Sequence, residues 1–144
     1  MIIRKKSIRK LLKELSIEYN IKLHFTKSLP DSDGISRYWR NSISISLNLS
    51  AKSMLSAFFH EIGHIHCFKN GLWTSYHVNK PLEFLSKKEK IKYIKTAVKA
   101  EKWVDRWAEK EMKKHFPELK YYRGYSIETC ESFKRDIKKI LNYE

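Results

Sequence analysis

Cysteine is scarce. Cys67 and Cys130 are the two cysteines in 144 residues, and they form no Cys-x-x-Cys pair. That argues against a disulfide framework and against a cysteine-rich structural zinc site, and it fits a reducing, cytoplasmic setting. No apolar run approaches the ~20 residues that a membrane span requires. The basic start Met1-Ile-Ile-Arg-Lys-Lys leads into the polar Ser7-Ile-Arg-Lys, not the apolar stretch of a secretory signal. The four glycines make no phosphate-cradling loop, and no base-reading motif, internal repeat, linker or low-complexity tract occurs. Acidic residues are few beside basic ones, 16 against 30, for a net charge of +14. Such an excess lowers the barrier to polyanions and leaves direct nucleic-acid binding open. The lysines are spread along nearly every segment, however, which solvated helix faces would also produce.

What is present is a foldable core. Hydrophobic residues make up 42% and aromatics 13%, enough for one globular domain over residues 1–144. Ile8, Leu11, Leu12 and Leu15 recur at three- and four-residue spacing and predict an amphipathic helix over about 6–19. Residues 21–26 and 43–49 alternate apolar and polar with period two, and 35–39 offers a further strand. Asp31-Ser-Asp-Gly34 reads as a turn after Pro30, and Arg40-Asn41-Ser42 as a hairpin turn. About three strands therefore precede a helical remainder. A central helix starts from an N-cap at Ser50 or Ser53 and ends near Asn70-Gly71. Residues 72–85 carry no clear period and read as a loop. Ser86-x-x-Glu89 is a capping box for a long helix that Phe116-Pro117 breaks. After an aromatic loop at 121–125, a closing helix runs over about 126–141. The predicted class is α+β: a small sheet packed against a central helix and a long second helix, with further helices at both termini.

The chemistry lies in His60-Glu-Ile-Gly-His64. Histidines four apart on a helix sit about 40° apart and about 6 Å along the axis, so both imidazoles can reach one ion. Glu61 points about 100° round, placed to hydrogen-bond water at that ion and act as general base. The histidine face also carries the small residues Ser53, Ser56, Ala57, Gly63 and Cys67, while Leu55, Phe58, Phe59, Ile62 and Ile65 gather opposite. This predicts a helix with its back to the core and an uncrowded front at the floor of a cleft.

A catalytic zinc takes three protein ligands and keeps one open position. Glu101 is the candidate third ligand, on an inward stripe with Ile94, Ala97, Val98, Val104 and Ala108. A carboxylate there is costly unless paired or metal-bound. Asp105, one turn on, can orient a ligand histidine; pairing of both acids with lysines is the competing reading. His66 points off the ligand face and reads as partly buried. Cys67 reads as packing, since a fourth ligand would close the open position, and His24 and His115 read as structural or solvated. Candidate donors to an oxyanion are Tyr76, His77, Tyr122, Arg123 and Tyr125, all in flanking loops.

These residues resemble the zincin metallopeptidases with a glutamate third ligand, and among them the ImmA/IrrE-like family of small bacterial and phage-associated proteins. The likeness covers about residues 35–110. It rests on Gly34-Ile-Ser-Arg-Tyr, Ile43-Ser-Ile-Ser-Leu-Asn, Phe59-His-Glu-Ile-Gly-His-Ile-His and Glu101-Lys-Trp-Val-Asp-Arg-Trp-Ala. The family's last motif looks like Glu-x-x-Ala-Asn-x-Phe-Ala. Val104, Asp105 and Trp107 depart from it, and Asp105 echoes the thermolysin-like Glu-x-x-x-Asp. The resemblance implies a zincin-like fold with one Zn2+ on His60, His64 and Glu101. It implies an edge strand near Ile43 to Leu49 that pairs with substrate backbone. It also implies cleavage of a protein substrate such as a phage or mobile-element repressor, a DNA-binding regulator. Two alternatives come from other classes: a catalytically silent zincin-fold protein that sequesters a regulator, and a basic nucleic-acid-binding protein whose metal is structural.

Overall fold

The computed structural model describes residues 5–27, 29, 34–71, 84–122 and 124–142; side chains at 5, 6, 124–130 and 133 are outside the description. Helix α1 (Lys5–Glu18) is followed by strands β1 (Lys22–Thr26) and β2 (Gly34–Arg37). A 3-10 turn (Tyr38–Arg40) leads to β3 (Ser42–Ser46), and α2 (Ala51–Lys69), α3 (Lys87–His115) and α4 (Gly124–Asn142) complete the order. Ile8, Leu12 and Leu15 of α1 are buried between exposed lysines, as their spacing requires. Asn20 and Asn41 take left-handed backbone angles, φ 52° and 53°, a conformation asparagine tolerates better than most residues. They also hold each other, the Asn41 amide donating to the Asn20 carbonyl. Among the described residues no helix is long and apolar enough to cross a membrane.

The helix ends lie where the sequence places them. Ser50 Oγ accepts from the Ser53 amide and caps α2, and Ser86 Oγ accepts from the Glu89 amide and caps α3. At the far end of α2, Gly71 has φ 64° and Asn70 donates to the His66 carbonyl. Lys113, Lys114 and His115 occupy the last turn of α3, where positive charge suits the helix dipole.

The sheet order is β1-β3-β2, with β3 parallel to β1 and antiparallel to β2. This corrects the expectation of an edge strand at Ile43 to Leu49. β3 is central, and the edges are β1 and β2. All five residues of β3 are buried, and its outward positions are serines where the edge strands carry Lys22, His24 and Arg37. Paired residues share a face, so Phe25, Ile45 and Gly34 form one row beneath the helices, and Leu23, Ile43 and Ser36 the next. Met54, Leu55, Phe58, Phe59 and Ile62 of α2 close the core over that face. Tyr38 packs on Phe68 at 4.7 Å between ring centroids, tying the 3-10 turn after β2 to the last turn of α2.

The small face of α2 is not an open front, which is the second correction. α3 lies on it. A Cβ built at Gly63 would fall 2.9 Å from Val104 Cγ1 and 3.3 Å from the Val104 carbonyl oxygen. The small residues are thus the condition for close helix approach, and Trp107 and Trp103 extend the contact by stacking on His66 at 5.0 and 6.1 Å. His66 is exposed, not partly buried as its position on the helix suggested. Filling the gap should separate the helices. Gly63→Leu is expected to lower stability by about 1–3 kcal/mol through overpacking, although leucine is the better helix former. A urea denaturation midpoint equal to that of the parent would show that α3 is not seated there.

Candidate metal centre

The contact between α2 and α3 brings three metal-ligating groups together. His60 and His64 rise one turn apart from α2, with ring centroids 4.8 Å apart, and Glu101 faces them from α3. His60 Nε2 lies 3.1 Å from His64 Nε2 and 3.2 Å from Glu101 Oε2, while His64 Nε2 lies 3.1 Å from Glu101 Oε1. Ligand atoms about 2.0–2.2 Å from one tetrahedral ion are about 3.3–3.6 Å from each other. The cluster therefore needs to open by only a few tenths of an ångström to hold a cation. His60, Glu61, Glu101 and Asp105 are 5–7% exposed, and His64 is half-buried, so the cluster meets solvent on the His64 side.

The donor set fits a metal on a further count. Glu101 Oε2 is buried, and among the described residues nothing donates a well-aligned hydrogen bond to it, although His60 Nε2 is close. A buried carboxylate oxygen left in that state is costly, and a cation at the centre of the cluster would satisfy it. Burial by itself drives the His60 imidazole toward its neutral form. The hydrogen bond to Asp105, the close contact with Glu101 and the charges of Glu61 and Glu101 outweigh that and raise its pKa well above the ordinary value. Burial likewise raises the Glu101 carboxyl, but the His64 charge and the close contacts with both imidazoles prevail and hold it well below the carboxylate range. The space thus draws positive charge, whether a proton or a metal ion.

Behind His60 lies its support. His60 Nδ1 is 3.1 Å from Asp105 Oδ1 and 3.3 Å from the Tyr121 hydroxyl, which itself donates to Asp105 Oδ1 at 2.6 Å. A carboxylate accepts only, so the network keeps a proton on Nδ1 and leaves Nε2, facing Glu101 and His64, as the nitrogen that takes either the extra proton or a metal ion. Tyr121 is buried, and burial with the Asp105 charge pushes its phenol far above the ordinary value, which keeps it a donor. The candidate donors predicted from the sequence include Tyr122, Arg123 and Tyr125 but not Tyr121. The signal was there, since from 118 to 122 residues alternate out and in, leaving Leu119 and Tyr121 inside. Tyr122, one of the candidate oxyanion donors, is 56% exposed, and its backbone amide donates to Ser56 Oγ on α2. Tyr76, His77, Arg123 and the Tyr125 side chain lie outside the described residues.

Glu61 and Cys67 complete the surroundings. Glu61 runs along β2 at Gly34, where a Cβ would meet Glu61 Cγ at 2.8 Å and Oε1 at 3.3 Å. Only a residue without a side chain leaves Glu61 that space. The Cys67 thiol is pushed up to about 11 by burial and by the Glu101 charge. Cys67 is not among the residues whose ligand atoms converge. Among the described residues His60, His64 and Glu101 are the group of three that can hold a metal ion. No family model, curated protein or solved structure matches the chain.

Two outcomes follow from the geometry. Below its raised pKa the metal-free site holds a proton on His60, and a metal requires neutral imidazole. Binding at pH 7 should therefore release about one proton, and affinity should rise about tenfold per pH unit until that pKa is passed. Titration calorimetry in two buffers of different ionisation enthalpy measures the release; equal heats in both would contradict the assignment. Tyr121→Phe should keep the fold and weaken metal binding by about 10–100-fold, the usual worth of a partner behind a ligand histidine. An unchanged dissociation constant would remove Tyr121 from the site.

Proposed function

We propose that this chain is a zinc-dependent peptidase, with His60, His64 and Glu101 holding one Zn2+ and Glu61 serving as general base. The observation that carries the reading is the convergence of the two imidazoles and the carboxylate within 3.1–3.2 Å of one another, with Glu61 buried on the adjoining turn. When bound, zinc supplies the Lewis acidity that brings the pKa of water to near neutrality. Glu61 then takes a proton from the attacking water and delivers it to the departing amine nitrogen, so one carboxylate acts as base and as acid. Gly34 keeps that carboxylate in place, and Asp105 with Tyr121 holds His60 in the ligating tautomer.

The same layout supports a reading of the substrate class. Among the described residues β2 has a neighbouring strand on one side only, and its first residue touches the space of Glu61. The outer edge of β2 offers backbone groups to an extended peptide. Together with the resemblance to glutamate zincins of the ImmA/IrrE-like kind, this favours a protein substrate, and a DNA-binding repressor is the substrate that the resemblance suggests.

The test separates metal binding from chemistry. Glu61→Gln should retain stoichiometric zinc by mass spectrometry and lose about 10²–10⁴-fold in cleavage of a quenched fluorescent peptide library, while His64→Ala should lose the metal. Gly34→Ala should leave zinc content intact and lower turnover at least about tenfold, because its Cβ displaces Glu61. A Glu61→Gln protein as active as the parent would end the peptidase reading. Stoichiometric sequestration of a regulator, indifferent to chelator, would replace it.

A further inference from the structure

Exposed apolar side chains scattered singly need no explanation, but rings gathered in water mark a contact surface. Trp39 is 61% exposed and Phe68 39% exposed, and Tyr38 joins them. The Tyr38 ring meets Trp39 edge-on at 5.0 Å and lies against Phe68 at 4.7 Å between centroids. Rings from the 3-10 turn after β2 and from the last turn of α2 therefore form one aromatic ledge.

The ledge stands in line with the metal centre. On α2, Glu61, His64 and Phe68 share a stripe, because steps of three and four residues return to the same side of a helix. Phe68 follows His64, the ligand on the solvent side of the cluster, by about 6 Å along the axis and about 40° round. β2 keeps pace with the helix. Its first residue, Gly34, borders Glu61, and Tyr38, just past its last, lies against Phe68. The two ties are about 13 Å apart along the strand and about 10 Å apart along the helix, so β2 and α2 run side by side in one direction. A peptide added to the outer edge of β2 advances at the strand's rise. The side chain that reaches the ledge then stands about four residues from the bond beside Glu61.

The charges beside the ledge have one sign. Arg37 and Arg40 bracket Tyr38 and Trp39 in sequence, Lys69 follows Phe68, and all three are exposed. Residues 34–41 and 62–71 contain no acidic residue.

We propose that the Tyr38–Trp39–Phe68 ledge is a specificity subsite for an extended protein segment carrying a large apolar side chain about four residues from the cleaved bond, with an acidic residue beside it. The subsite rests on the peptidase reading and deepens it by naming what the substrate presents. The apolar side chain covers rings that otherwise face water, and its acidic neighbour meets only basic residues.

The experiment is cleavage of a quenched fluorescent peptide library by the zinc-loaded full chain, followed by kcat and KM for the best peptide and its replacements. Preferred peptides should carry Phe, Trp, Leu or Met about four residues to one side of the cleaved bond. Alanine there should lower kcat/KM at least about tenfold, through KM. Lysine in place of the acidic neighbour should cost about threefold or more at low salt. Trp39→Ala, at unchanged zinc content, should lower kcat/KM for the best peptide about tenfold. Combined with the alanine peptide it should cost no more than about twofold beyond either change alone, because both remove one contact. Ile17→Ala on α1, at a position 80% exposed, should stay within about twofold of the parent. A parent protein that cleaves no peptide would end the peptidase reading and the subsite together. Cleavage without an apolar preference at that distance, additive losses, or a preference for lysine beside the apolar residue would overturn the subsite alone. The peptide replacements decide the matter even where Trp39→Ala fails to fold.

Discussion

The structure depends on the close approach of α2 to α3 at Gly63 and Val104. Everything at the metal centre is arranged across that contact, since the imidazoles stand on one helix and Glu101 and Asp105 on the other. Widening the gap by one methylene would lengthen each 3.1–3.2 Å separation and leave buried charges facing voids. That is why the face of α2 carrying the histidines is otherwise built from serine, alanine and glycine. The bulk removed there is supplied from α3 by Val104 and the tryptophans, whose rings also take up His66.

A second constraint acts from the sheet. Glu61 must reach the same centre from the next position along α2, and it can do so only along β2, where Gly34 has no side chain to obstruct it. The hairpin of β2 and β3, and the Tyr38–Phe68 stack, fix that edge against α2. The loop after α3 supplies the third side of the site. Tyr122 anchors its backbone on Ser56, and the anchor turns Tyr121 inward to Asp105. Residues from the sheet, two helices and a loop therefore converge without any of them having to be strained.

Local chemistry was legible in the sequence, and long-range order was not. Ser50, Ser86 and Asn70-Gly71 mark helix ends because capping is settled by residues within one turn of each other. Likewise His60, His64, Glu101 and Asp105 could be paired in advance because a helix fixes which residues share a face. The rank of β3 in the sheet could not be read from its alternation, which an edge strand shows as well. Its serines were the available clue, being small and buried where the paired Lys22, His24 and Arg37 of the edge strands are exposed. The small face of α2 was ambiguous for a similar reason. Small residues permit either an open cleft or a close neighbour, and only the inward stripe of α3, with one fewer exposed face to spare, decides for the neighbour. Tyr121 stands among aromatic and basic neighbours, and the out-and-in alternation of residues 118–122 that turns it inward is too short to stand out in a loop.

The charge balance of the site explains why a divalent ion suits it better than protons do. Glu61, Glu101 and Asp105 are all buried, and among the described residues no lysine or arginine is buried with them. Positive charge has to come from the imidazoles or from outside. Protons on both histidines would set two N–H groups against each other across the 3.1 Å between their Nε2 atoms, and a single proton shared there as an N–H···N hydrogen bond brings one positive charge against three carboxylates. A dication at the centre removes both conflicts at once, satisfying two lone pairs and the orphaned Glu101 oxygen while adding the charge that three carboxylates require. The hydrogen-bond network behind His60 already holds the tautomer that such an ion demands, so the protein has met part of the ordering cost of binding before the ion arrives.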